Sequence, residues 1–156
     1  MPTGLAAKIF GIMEELVFHC ASCGAINRVL PDRVEAGPKC GRCQRPLDLS
    51  GAPLEVDDDM LRRLVEHSPV PVLVDFWAPW CPPCRMVAPH LEALGRRHAG
   101  RLIVAKVDTD RHSKTAASLR VRSIPTLAIW KDGKLVKAQA GALVGPQLES
   151  YIAPVL

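Results

Sequence analysis

The sequence predicts an α/β body, a mixed central sheet with helices on both faces, preceded by a small cysteine-stapled module. Three observations carry this reading. From about residue 54 onward, short apolar runs alternate with segments of helical periodicity and end in a hairpin signal, the pattern of a mixed sheet covered on both sides. The 156 residues are 48% hydrophobic and 23% charged, which suits a packed body of about 100 residues with a small extra module and excludes wholesale disorder. All six cysteines fall into three C-x-x-C pairs, Cys20/Cys23, Cys40/Cys43 and Cys81/Cys84, which argues for metal and redox chemistry over a scattered disulfide framework.

The elements run in this order. In residues 1–17, an N-terminal extension, Leu5, Ile9, Met13, Leu16 and Val17 recur at helical spacing. A short helix packed on the body, a frayed terminus, and a true start at Met13 all stay open. This segment has one lysine, interrupting glycines, and Glu14-Glu15 where a cleavage site would lie. It does not read as a secretory signal, so a cytoplasmic location with reduced thiols is expected. Residues 18–47 form the cysteine module, with a strand at 26–30 and a turn at Pro31-Asp32. Residues 48–53 are a linker, and residues 54–156 the main body.

Within that body, Asp57-Asp58-Asp59 caps a helix through Leu61, Leu64 and Val65. Strand 70–77, helix 82–98, strand 102–107, helix 111–120 and strand 126–131 come next. An Asp132-Gly133 turn leads into strand 135–140, and helix 146–153 closes the chain. Pro89 is expected to kink its helix. No apolar run reaches the ~20 residues that span a bilayer, and no Lys/Arg run stands out within the net charge of +4. Aromatics are 4% of the chain. Neither a membrane nor a nucleic-acid partner is expected.

The first two pairs form C-x2-C-x16-C-x2-C, inside the spacing range of a four-cysteine zinc ribbon. Gly24 and Gly41 are expected to supply positive φ in the tight turns. Four thiolates close a tetrahedral shell and leave no position for water, so Cys20, Cys23, Cys40 and Cys43 read as ligands of one structural zinc. The metal would also explain how so short a segment folds, since it cannot bury a sufficient core unaided. His19 reads as a surface histidine.

The third pair differs in every flank. Val70 to Trp77 is nearly continuous in apolar residues, as for a strand buried on both faces. After Cys84, Met86, Val87, Leu91 and Leu94 recur at helical spacing. Cys81 therefore sits where a central strand hands over to a helix, with Pro82 in the first helical turn. Helix N-terminal N–H groups favour a thiolate there, the species that attacks disulfides. Cys84, one turn on, can resolve a mixed disulfide. Pro83 has no N–H to direct at a metal-bound sulfur, so this pair is a poor metal knuckle. Asp75 interrupts the apolar strand on the face of Leu73 and Trp77, where burial would raise its pKa. Lys106 interrupts the apolar stretch Leu102–Val107 in the same way. His90 and His98 read as solvated, and Trp77 as core packing.

Val74-Asp-Phe-Trp-Ala-Pro-Trp-Cys-Pro-Pro-Cys84, Val104-Ala-Lys-Val-Asp108, Ile124-Pro-Thr126 and Gly141-Ala142 together resemble the thioredoxins, and the upstream cysteines extend the resemblance to the zinc-binding bacterial subfamily. The resemblance implies the thioredoxin fold and a protein-disulfide reductase working through Cys81 and Cys84. It implies that Asp75 moves a proton to and from Cys84 and that Lys106 pairs with that acid. It also implies a cis bond at Pro125, with the Ile124 backbone beside Cys81. Trp80, Pro82, Pro83 and Gly141 would complete a docking surface for an extended substrate. Partners would be disulfide-containing proteins and an NADPH-dependent thioredoxin reductase. No bound nicotinamide or flavin is expected, because the chain has no glycine-rich dinucleotide fingerprint. Pro82-Pro83 replaces the Gly-Pro of most members and stiffens the turn.

Overall fold

The computed structural model describes residues 14–156. Two antiparallel strands come first, β1 (Leu16–His19) and β2 (Ile26–Val29), followed by a 3-10 turn at Pro31–Ala36. A five-stranded sheet then forms from β3 (Leu54–Glu55), β4 (Val72–Trp77), β5 (Ile103–Asp108), β6 (Thr126–Lys131) and β7 (Lys134–Ala140) in the order β3-β5-β4-β6-β7. The first three strands across are parallel, while β6 pairs antiparallel with both β4 and β7. Among the described residues, four helices cover the sheet: α1 (Asp58–His67), α2 (Pro82–Arg97), α3 (Lys114–Ser118) and α4 (Pro146–Ile152).

Side-chain alternation on β4 divides the core in two. Val72, Val74 and Phe76 join Leu61 and Leu64 of α1 and Ala116 of α3. Leu73 faces the other way, with Val87, Leu91 and Leu94 of α2 and Leu148 and Ile152 of α4. Asp75 shares the Leu73 face, beneath α2. Burial on both faces explains why β4 is apolar along its length except at Asp75.

Several expectations change. Leu16 and Val17 are in β1, so helical spacing does not continue through them; the rest of that reading, residues 1–13, lies outside the described residues. Val17 is buried with Val56 and Ile103, and its N–H donates to the Gly100 carbonyl at 2.8 Å. Helix 111–120 shrinks to α3, because Arg111 and His112 donate to the Asp108 carbonyl in a turn and Arg120 adopts a left-handed φ of 55°. Strand β4 starts only at Val72, past Pro69 and Pro71, which have no N–H to give a ladder. Strand β3 has no counterpart in the sequence pattern. Asp57 alone caps α1, accepting from Met60 N–H at 2.7 Å; Asp58 instead accepts both the N–H and the hydroxyl of Thr115 at the start of α3. The helix α2 runs unbroken through Pro89. Asp132 and Gly133 both take positive φ, 53° and 78°, as a two-residue hairpin turn requires.

Residues 48–53 are pressed onto the body. Gly51 and Gly95 of α2 meet backbone to backbone, so that a Cβ on either would strike the other's carbonyl. Gly24 of the cysteine module lies against Met60 of α1, and Leu16 against Gly100.

Candidate metal centre and redox site

The sulfurs of Cys20, Cys23, Cys40 and Cys43 lie within 4.8 Å of one another. Cys20–Cys43 is 3.7 Å and Cys23–Cys40 is 3.6 Å. Tetrahedral Zn–S bonds of about 2.3 Å would separate sulfurs by about 3.8 Å, so the donor set fits one such ion. Each pair closes a matching turn: Cys20 N–H donates to Ala25, and Cys40 N–H to Arg45, both at 2.8 Å. Four residues after the first cysteine of each pair the chain turns left-handed, at Gly24 (φ 80°) and Gln44 (φ 66°). Gly41 does not take positive φ, contrary to expectation; its N–H donates to Asn27 Oδ1 at 2.9 Å. Cys40 Sγ accepts from Arg42 N–H at 3.4 Å and Asn27 Nδ2 at 3.5 Å. The Cys43 N–H, the Asn27 amide and the Arg42 N–H pull the Cys40 thiol down to about 6, which favours the thiolate a metal needs. Asn27, which binds across from β2, carries no sequence signal of its own.

His19 is not a surface residue. It is buried, its ring nitrogens lack partners, and burial first, then the charge of Arg63, holds its pKa below the ordinary value. His90 and His98 are also engaged: Nδ1 of His90 accepts the Gly145 N–H at 3.2 Å, and Nε2 of His98 lies 3.1 Å from Glu149.

At the C-terminal end of β4, Cys81 is the N-cap of α2, with Pro82 and Pro83 in its first turn. Cys81 and Cys84 are joined as a disulfide, with Cα atoms 5.3 Å apart. Cys81 Sγ accepts the Cys84 N–H at 3.3 Å and lies 3.7 Å from the Ile124 carbonyl. The Ile124–Pro125 bond is cis. A groove of about 460 Å³ beside the disulfide is lined by Trp80, Cys81, Pro82, Pro83, Arg122 and Ile124, among others. Trp80 is 64% exposed, with its indole N–H held by Asp110 at 2.8 Å. Gly141 does not line the groove; its N–H donates to the Pro125 carbonyl at 2.8 Å, which braces the loop that does.

Asp75 is wholly buried, and its oxygens have no hydrogen-bond partner. Burial, offset by Lys106 and reinforced by Glu55, pushes its pKa up to about 7. Lys106 stands in register with Asp75 across β4–β5 and with Glu55 across β3–β5. Its ion pair in the structure is with Glu55, at 3.8 Å, and not with Asp75 as the family resemblance implies. Its ammonium also lies 4.2 Å from the Trp77 ring centroid. Trp77 is half-buried, a floor for this row.

Comparison with known proteins decides the family. Residues 52–154 match the thioredoxin family model, and residues 19–45 match the zinc-ribbon family described as Thioredoxin 2, N-terminal. The chain belongs to the thioredoxin family. Among its relatives, thioredoxin C-3 of Corynebacterium nephridii is 36% identical over 137 residues, covering 88% of this chain and 93% of that one. A thioredoxin of Haemophilus influenzae is 43% identical over 99 residues, covering 64% and 92%. Among solved structures, a mutant thioredoxin from Halobacterium salinarum NRC-1 superposes with a TM-score of 0.63 at 31% identity, covering 69% of this chain and 94% of that one. This thioredoxin is a thiol–disulfide oxidoreductase that reduces protein disulfides through the Cys81/Cys84 dithiol, and it carries a four-cysteine metal-binding module. Among the described residues, no helix is long and apolar enough to cross a membrane.

Proposed function

We propose that Cys81 is the attacking thiol and Cys84 the resolving one. The observation that carries this is that Cys81, and not Cys84, lines the groove. In the reduced protein the Cys81 thiolate, favoured by the helix N-terminus and the Cys84 N–H, attacks one sulfur of a protein disulfide. One S–S bond breaks, a mixed disulfide forms, and the first substrate sulfur leaves as a thiolate. Cys84 then loses its proton and attacks the Cys81 sulfur, forming the intramolecular disulfide and releasing the second substrate sulfur. Two electrons pass from the dithiol to the substrate.

Asp75 is the proton carrier for Cys84. Its place supports this: a buried, unpartnered carboxyl two residues from the end of β4, on the face covered by the helix that bears Cys84. A group that titrates near 7 suits proton transfer at neutral pH. Lys106 tunes that acid. An extended substrate lies along Trp80, Pro82, Pro83 and the Ile124 backbone, with Pro125 and Gly141 shaping that loop.

The metal is zinc, held by Cys20, Cys23, Cys40 and Cys43, and its part is structural because the four thiolates leave no open position. The chain divides into the zinc module at 18–47, a junction at 48–53 and the catalytic body at 54–156. Recycling falls to an NADPH-dependent thioredoxin reductase, and disulfide-containing proteins are the substrates. Four thiols that must stay reduced to hold metal support a cytoplasmic location.

The test is a pair of substitutions. Cys81→Ser abolishes disulfide reduction while one zinc per chain remains. Cys84→Ser traps mixed disulfides, detected as covalent adducts on non-reducing gels. Trapping by Cys81→Ser instead would reverse the assignment.

A further inference from the structure

Glu55, Lys106 and Asp75 occupy one register line across β3, β5 and β4, and in-register neighbours project to the same face of a sheet. The line runs from a half-exposed acid, through a cation, to a buried acid. Glu55 has 57% of its side chain exposed, Lys106 17%, and Asp75 none. On the other side of Asp75 the line passes through Leu127 of β6, which is apolar and buried, and ends at the uncharged, exposed Gln139 of β7. One ammonium thus lies between two carboxylates, and its ion pair is with the outer one, at 3.8 Å. The ring of Trp77 holds it from below at 4.2 Å. Asp75 has no hydrogen-bond partner.

The charged groups around Glu55 besides Lys106 are Asp108 of β5 and Arg111 in the turn after it. Those facing Asp75 are Lys106 and Glu55, with the cysteine pair at the head of α2 above.

We propose that Glu55 is a positioning residue for the redox reaction: by pairing with Lys106 it draws the cation from Asp75 and so leaves Asp75 free to carry a proton for Cys84. It acts in two ways with the same sign. Its own negative charge opposes ionisation of Asp75, and its claim on Lys106 removes a charge that would favour ionisation. Glu55 touches neither the cysteines nor a substrate in the groove, and so acts only through Lys106 and Asp75.

The proposal rests on Asp75 being the proton carrier, and the experiment separates the two. In the full metal-loaded chain, the Asp75 side-chain carboxyl is titrated by carbon NMR, and the pH–rate profile for reduction of a small peptide disulfide is recorded. Glu55→Gln keeps the shape of a half-exposed side chain and removes its charge. It lowers the Asp75 midpoint by roughly half a pH unit, a shift tempered by solvent screening at Glu55, and moves the pH–rate profile by the same amount. Glu55→Asp restores most of both shifts. In an Asp75→Asn background, Glu55→Gln no longer moves the rate profile.

An Asp75 midpoint unchanged by Glu55→Gln overturns the proposal while leaving Asp75 as proton carrier. A moved midpoint with an unmoved rate profile also overturns it. A parental pH–rate profile in Asp75→Asn alone overturns the proton-carrier reading, and this proposal with it.

Discussion

Cys40-Gly-Arg-Cys43 and Cys81-Pro-Pro-Cys84 have the same spacing and opposite fates. In the first, Cys40 Sγ receives an N–H from Arg42, two residues on, and the chain then folds back so that Cys40 N–H meets the Arg45 carbonyl. Both sulfurs of that pair point to one centre shared with Cys20 and Cys23. In the second, the residue two positions on is Pro83, which has no N–H. Cys81 Sγ accepts only from Cys84, and the chain continues as a 16-residue helix. The difference lies in the two residues between the cysteines and in the conformation of the chain just beyond the second. A left-handed turn four residues after the first cysteine closes a metal knuckle, and a proline-led helix presents a nucleophile.

The largest test of this contrast is removal of the metal under reducing conditions. Zinc binding to such thiolate sites is worth roughly 10 kcal/mol or more of folding free energy. Circular dichroism and hydrogen exchange are expected to show the cysteine module unfolded, with Cys81 and Cys84 still reducing disulfides. The module is not a free appendage, because Val17 is buried with Val56 and Ile103. Losing a buried valine's contacts costs about 2 kcal/mol, so the catalytic body melts several degrees lower without metal. An unchanged melting temperature would show that the shared core does not couple the two regions.

The buried acid beneath the redox turn is the next largest. Its carboxyl titrates near 3.8 when exposed and near 7 when folded. Between those pH values the folded chain holds a proton that the unfolded chain has released. Stability contributed by this group therefore falls as pH rises from about 4 to about 7 and is level above that. Asp75→Asn removes the penalty and stabilises the oxidised protein at pH 8 by on the order of 3 kcal/mol. The gain vanishes by about pH 4. Denaturant melts at the two pH values check this, and equal gains at both would contradict the burial account.

Smallest is the exchange at Gln44, the one knuckle position where a side chain sits at a φ suited to glycine. Gln44→Gly should stabilise the metal-loaded module by up to about 1 kcal/mol. Gly24→Ala should destabilise it, because φ is 80°, a conformation that L side chains rarely adopt, although the new Cβ would meet Met60 only at ordinary contact distance. Competition with a calibrated zinc chelator reads both as shifts in metal affinity.

The covalent logic of both sites is readable in the sequence, because cysteine spacing and helix or strand flanks are local. Asp75 and Lys106 stand out because each breaks an apolar strand. The features that stay hidden are non-local. Glu55 lies in a two-residue strand, too short for any periodicity, and only the β3–β5 register places it beside Lys106. Its presence redirects the ion pair expected at Asp75. His19 looks exposed because it neighbours a metal ligand, yet the packing of β1 on the body buries it. Leu16 and Val17 fit a helical stripe only because four-residue strands leave too few positions to tell the two periods apart. Gly41 draws attention as a glycine in a turn, but the matching position in the two knuckles is Gly24 and Gln44, which only backbone angles disclose.

The contact between Gly51 and Gly95 bears on protein engineering. A short polar stretch between a metal module and a catalytic body invites use as a cassette boundary, where one module could be cut away and grafted onto another catalytic partner. Here that boundary is itself fitted to the recipient: with a Cβ at position 95, the graft would strike the Gly51 carbonyl. A transplanted module would therefore dock only on a body whose equivalent helix offers bare backbone at that turn, so compatibility between donor and acceptor is written in a single missing methyl group.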